Sequence, residues 1–153
     1  MRQISFAALL AAGAVLLVAA VDPHVAIPAR QMGMKQVGRT FKGINDQLKA
    51  SAPDAKALKD GTALLARLAK QVPGWFPAGS GPEAGVKTEA KANIWTEQAD
   101  FRIKAVALAT ATHALAEGAK HSSDPAVLTP LVRQVGGACK ACHTKYKTEE
   151  HRG

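Results

Sequence analysis

Two cysteines and a histidine close to one another carry the most chemistry in this chain: Cys139-Lys140-Ala141-Cys142-His143. On a helix, positions i, i+3 and i+4 share a face, so both sulfurs and the imidazole point the same way. The C-x-x-C-H pattern is a haem attachment signature, in which the thiols add across two vinyl groups and the histidine reaches the iron. Two other readings fit parts of the pattern. A redox dithiol needs its C-x-x-C at a helix N-terminus after a strand, whereas this one lies late in a helical segment. A structural zinc site needs four ligands; Cys139, Cys142 and His143 supply three, and His113, His121 or His151 would have to supply another. These are the only cysteines, and a disulfide across so short a loop would constrain little of the unfolded chain. One covalent haem c, with His143 as proximal axial ligand, is the reading the residues favour.

The elements that must hold such a group are helical. Aromatic residues are only 5% of the 153 residues against 47% hydrophobic, so the core is built from Ala, Leu, Val and Ile, a mix that favours helices. Met34, Val37, Phe41, Ile44 and Leu48 form one stripe, and Leu58, Gly61, Leu65, Leu68 and Val72 another. Pro53 is expected in the first turn of that second helix, and Pro73-Gly74 ends it. Residues 73–87, with three Pro and four Gly, read as an ordered loop. A third helix starts between Thr88 and Ile94, with Ile94, Phe101, Leu108 and Leu115 recurring at seven, and closes at Gly118 and the following polar stretch. The fourth starts at Asp124 or Thr129 and ends near Lys147, with Leu128, Leu131, Val135, Ala138, Cys142 and Tyr146 inward. Pro130 then either opens that helix after a Thr129 cap or kinks it. Four amphipathic helices and no strand pattern predict an all-α four-helix bundle with covalently attached haem.

The N-terminal residues read as an export signal: Arg2, then an apolar run from Phe6 to Val21, then small residues at Val18-Ala19-Ala20. Residues 1–20 are therefore expected to be a signal peptide cleaved after Ala20, with Ala26 as the alternative, and 21–153 the mature domain in the periplasm. Ile4 to Val21 is also near the lower limit for a spanning helix, so a membrane partner is expected only if this segment is retained. The net charge of +8 is spread without long like-charge runs, which argues against a nucleic-acid arm and suits acidic partner proteins. No paired carboxylates or nucleophile constellation accompany the motif, so no enzymatic turnover is expected.

The chain from Arg30 to Lys147 resembles the class II c-type cytochromes, the cytochromes c′ and their low-spin relatives. The similarity is carried by Arg30-Gln-Met-Gly-Met34-Lys-Gln-Val-Gly, by Phe76-Pro-Ala-Gly-Ser-Gly with Val86-Lys-Thr-Glu-Ala, by Ile94-Trp95-Thr96 and by Gly136-Gly-Ala-Cys-Lys-Ala-Cys-His143. Tyr146-Lys147 stands where the family usually has an aromatic followed by Arg, and Lys lacks that planar fork. The resemblance implies an antiparallel four-helix bundle with the haem between helices, often in a homodimer packed through the first two helices. It also places Met34 on the distal side of the haem. Met34 as sixth ligand would give a low-spin centre suited to one-electron transfer between redox partner proteins, and this is the expectation. The alternative is Met34 packed over the haem unligated, leaving a five-coordinate iron that binds nitric oxide or carbon monoxide. Arg30, one turn before Met34, either pairs with a haem propionate or caps the bundle in solvent. Met32 falls on another face, His113 and His121 read as surface residues, and Trp75 and Trp95 either lie against the haem or close the bundle, with core packing expected.

Overall fold

Three aspartates open long helices by one device. Asp22 accepts a hydrogen bond from the backbone N–H of His24 (2.8 Å), Asp54 from Lys56 (2.8 Å) and Ala57 (3.0 Å), and Asp124 from Ala126 (2.8 Å). Each carboxylate satisfies N–H groups that have no partner inside the helix and adds negative charge at the positive end of its dipole. The computed structural model describes residues 21–148, so the expected signal peptide and His151 lie outside the described residues. The helices are α1 (Pro23–Lys49), α2 (Ala55–Gln71), the single-turn α3 (Asn93–Thr96), α4 (Gln98–His121) and α5 (Pro125–Tyr146). Short 3₁₀ turns at Val72–Trp75 and Pro82–Ala84 punctuate the long connection. Among the described residues there is no strand beyond one bridge, Ala90 to Lys147, and no helix long and apolar enough to cross a membrane.

The four long helices form the expected antiparallel bundle. Ile44, late in α1, lies against Gly61 near the start of α2, where a Cβ would come within 3.3 Å of its side chain. Leu128 and Leu131 at the start of α5 pack on Gly118 near the end of α4. Conversely, Asp100 at the start of α4 accepts a 2.6 Å hydrogen bond from the hydroxyl of Tyr146 at the end of α5. α1 and α5 share the smallest interface among the neighbouring long helices; there Phe41 faces Gly136, where a Cβ would lie 3.8 Å from its Cζ.

Several boundaries differ from the expectation. α1 starts at Pro23, a full eleven residues before Met34, because Asp22 caps it and Pro23 has no N–H to satisfy. Pro53 stands before the Asp54 cap and not inside the first turn. The third segment breaks at Glu97 into α3 and α4, and it runs on past Gly118 to His121. Of the two starts expected for the fourth helix, Asp124 and not Thr129 is the cap of α5, so Pro130 lies inside the helix, as Pro28 does in α1. The two helices open alike, with Asp, Pro and a second Pro five residues further on (Asp22-Pro23 to Pro28, Asp124-Pro125 to Pro130).

The core divides into two clusters. The larger holds Val37, Ile44, Leu58, Leu65, Leu68, Leu115, Leu128, Val132 and Val135. The smaller, at the end where α4 begins and α5 finishes, holds Val72, Ile94, Phe101, Ala105 and Tyr146. Its rings meet edge to face, Phe76 on Phe101 at 4.9 Å and Phe101 on Tyr146 at 5.4 Å between centroids, the arrangement their quadrupoles favour.

Candidate haem site

Helix α5 carries Cys139, Cys142 and His143 within its last two turns. The sequence put all three on one side of the helix, and the packing separates the two sulfurs usefully. Cys139 packs against the larger cluster and Cys142 against the smaller. A flat apolar group bonded to both would therefore lie along the seam between the clusters. Burial raises the pKa of both thiols, that of Cys142 further raised by Cys139 beside it, so they sit protonated among apolar neighbours. They are free of any disulfide.

His143 is exposed as a residue, yet its ring is crowded at the helix end. Partial desolvation, and then the charge of Lys147, lower its pKa, while Glu89 opposes them. The imidazole is thereby held in the neutral form that ligates metals. The end of α5 is fixed in turn by Lys145, which reaches Glu97 (2.5 Å) and Asp100 (2.9 Å), and by Lys147, which reaches Glu89 at 3.0 Å. The backbone of Thr148 donates to Glu89 and that of Lys91 to Tyr146, tying the exit of α5 to the segment before α3.

Met34 lies on α1, half-buried, and packs against the same cluster as Cys142, together with Trp75, Phe76 and Trp95. Met32 is 64% exposed, as its different helical face required. His113 and His121 are exposed, so neither completes a metal set with the cysteines, and among the described residues no cluster of three or more His, Cys, Asp or Glu could hold a metal ion. Both alternatives weighed from the sequence lose ground: among the described residues zinc finds no further ligand, and the C-x-x-C lies at a helix C-terminal end with no sheet before it.

Arg30 is the residue whose role the sequence missed. It is 3% exposed and so does not cap the bundle in solvent. Its guanidinium donates to the carbonyl and hydroxyl of Ser80 (3.1 Å each) and to Thr88 Oγ1 (2.9 Å). The same plane lies over Phe76 at 4.7 Å and near Trp95 at 5.7 Å. Burial lowers its pKa and no carboxylate offsets the effect; neutral oxygens and ring faces hold the charge. Arg30 thus straps residues 73–92 to α1 beside Met34. Trp95 adds a second strap, donating from Nε1 to the carbonyl of Pro77 (2.8 Å).

This bundle, with a C-x-x-C-H at the end of its last helix, matches known proteins over nearly its whole described length. The family model described as cytochrome C′ covers residues 25–147. The chain belongs to the cytochrome c′ family. A cytochrome c′ from Pararhodospirillum photometricum is 33% identical over 128 residues, 82% of this chain and 98% of that one. Among solved structures, cytochrome c′ from Shewanella frigidimarina superposes with a TM-score of 0.74 at 34% identity, covering 83% of this chain and 97% of that one. A ferrous variant of cytochrome c′ from Alcaligenes xylosoxidans with bound NO superposes equally well, TM-score 0.74 at 27% identity, covering 84% and 98%. Cytochrome c′ is itself among the standard examples of an up-down-up-down four-helix bundle.

The cofactor is that of the family, one covalently attached haem c, and the donor chemistry fits it. Two thiols a helical turn apart face the seam between apolar clusters, a neutral imidazole follows them, and the helix opposite, α1, meets α5 only sparingly. The names of these relatives point to cytochrome c′ itself and carry nothing about a low-spin branch.

Proposed function

We propose that this protein is a five-coordinate cytochrome c′ that binds nitric oxide or carbon monoxide at its haem iron. Cys139 and Cys142 would hold the haem by thioether bonds, and His143 would be the proximal ligand. Bound there, the haem supplies an iron with an open coordination position and one accessible redox step. The observation that carries the reading is the place of Met34: a half-buried thioether on α1, in the cluster that also contains Cys142 and the aromatic side chains of the 73–92 connection. With the distal placement that the resemblance to class II cytochromes implies, Met34 would cover the iron with apolar bulk that excludes water and admits only a small uncharged ligand. The kinship to a cytochrome c′ that has been seen with NO bound supports the same reading.

An electron carrier with Met34 as sixth ligand is the second reading. It rests on the thioether itself, a soft donor well placed to raise the potential of a His/Met pair. Its basic surface would then meet acidic redox partners, with docking that weakens as salt rises. A propionate partner for Arg30 has a cost under either reading, because its Nη groups already serve Ser80 and Thr88. Periplasmic residence belongs to both readings, and the Asp22 cap favours cleavage after Ala20 over Ala26, which would cut into the first turns of α1.

The ferric absorption spectrum of the holoprotein separates the two. High-spin features without a near-infrared sulfur-to-iron charge-transfer band are expected. The presence of that band, and its loss in Met34→Ala, would overturn the five-coordinate assignment in favour of the carrier. An unliganded Met34 predicts instead that Met34→Ala keeps the spin state and strengthens CO binding by opening the distal side.

A further inference from the structure

The inward stripe of α1 runs through Ile27, Arg30, Val37 and Ile44, but at Gly33 it carries no side chain. A Cβ built there would lie 2.8 Å from Cη2, 2.9 Å from Cζ2 and 3.1 Å from Cζ3 of Trp75. The benzo edge of the indole is thus seated on the α1 backbone, one residue before Met34. Gly33 is needed there for close approach and not for an unusual backbone angle. Trp75 closes the 3₁₀ turn that starts at Val72, itself 2% exposed. The next residue, Phe76, is fixed by Phe101 and the Arg30 guanidinium. The indole is held by the helix notch on one side and by its turn on the other.

Its position relative to the haem seat follows from the clusters. Among the described residues, two partly buried hydrophobic side chains, Trp75 and Leu108, pack against both. They mark the seam along which a group bonded to Cys139 and Cys142 must lie. Leu108 reaches the seam from α4, whereas Trp75 reaches it from the 3₁₀ turn after α2 with its ring laid on α1 at Gly33, in the same cluster as Met34, the residue that the resemblance to class II cytochromes puts on the distal side.

We propose that Trp75, seated in the Gly33 notch, is the specificity-determining wall of the distal side and limits iron ligands there to diatomic molecules. The inference rests on the five-coordinate reading and deepens it. Met34 covers the iron flexibly, since a thioether side chain can swing aside. A clamped indole cannot, so it excludes any ligand whose tail extends sideways beyond the atoms at the iron. The wall discriminates by size alone, because its ring faces offer a tail no hydrogen bond that would offset the collision.

Carbon monoxide and n-butyl isocyanide test this on the ferrous holoprotein, since both bind iron through carbon and differ in the tail. Replacing Trp75 with Ala should raise isocyanide affinity relative to CO by about tenfold or more, within the range that shape exclusion by a few methylenes gives. Trp75→Phe, which keeps the cluster filled, should move the ratio in the same direction by less and serves if the alanine variant retains too little haem. A ratio unchanged in the phenylalanine variant and in any haem-loaded alanine variant would overturn the assignment. So would equal strengthening of both ligands, which would mean a general opening. The reading beneath it is read separately, before any ligand is added: a sulfur-to-iron band in the wild-type ferric spectrum would show Met34 bound, whatever Trp75 does.

Discussion

Tyr146 and Asp100 show what one pair of residues contributes to holding the haem-bearing helix. Tyr146 is 3% exposed, and its hydroxyl donates to a carboxylate that also binds Lys145. Burial and then the bond to Asp100 push the Tyr146 pKa up to about 12. Asp100 is held below the usual carboxylate range, first by Tyr146 and then by Lys145. The signs follow by linkage. The tyrosine favours its neutral form in the fold, so its contribution is complete below its unfolded pKa of about 10 and disappears as pH rises from there toward the folded value. The aspartate contribution is present above about pH 4 and is lost on acidification. Tyr146→Phe should therefore melt below the wild type across the neutral range. The gap should narrow on both flanks, and a gap that widened between about pH 10 and 12 would contradict the assignment. Cys139, Cys142 and His143 can be singled out from local spacing alone, whereas Met34 needs the resemblance to class II cytochromes, since periodicity marks only the stripe it lies on. Arg30 reads beside it as a propionate partner or a solvated cap, not as the strap between α1 and residues 73–92. Its partners Ser80 and Thr88 lie 50 and 58 residues away in a connection with no periodicity.

At the scale of elements, hydrophobic spacing foretold four helices but misjudged where they stop and start. Spacing records which face is buried. It is blind to a cap such as Asp22, twelve positions ahead of the first residue in the stripe, and to a break such as Glu97, where the apolar heptad continues through the interruption. Proline left two starts open for a related reason. Pro130 could open a helix after a Thr129 cap or lie inside one capped by Asp124, and the cap decides: Asp124 and Pro125 start α5 ahead of it and place Pro130 inside. The residue still removes the N–H that would bond to Ala126 and crowds that carbonyl. Pro130→Ala should restore the bond, and because Pro130 is exposed no packing is lost. Partly offset by the freer unfolded chain, the gain should be about 2 kcal/mol in denaturant unfolding. A loss of stability would mean that the proline ring serves the start of α5 in a way its exposure does not reveal.

Across the whole molecule, the fold leaves two apolar faces in solvent. On α1, Val25 and Met32 are 65% and 64% exposed, with Val21 at 48% just before the helix, and their spacing of four and seven keeps them on one side. On α4, Ile103 and Val106 are 68% and 61% exposed. A chain carrying +8 repels its own copies over most of its surface, so self-association must use a face where apolar contact outweighs that repulsion. The resemblance to class II cytochromes implies a homodimer through the first two helices, and the α1 face lies there, while the α4 face lies on the other half of the bundle. Light scattering of the holoprotein should accordingly give a dimer mass at micromolar concentration. Val25→Glu should shift it to the monomer by placing like charges opposite each other in a two-fold contact. Ile103→Glu should leave the mass unchanged. The reverse pattern would move the contact to α4, onto the outer side of the helix whose inner side packs Ala105 and Leu108 around the haem seat. Dimerisation through α1 has a different consequence: it braces the helix that presents Gly33 to Trp75 and Met34 to the seam. Val25→Glu should then also alter CO binding, although Val25 itself stands on the outer face of its helix.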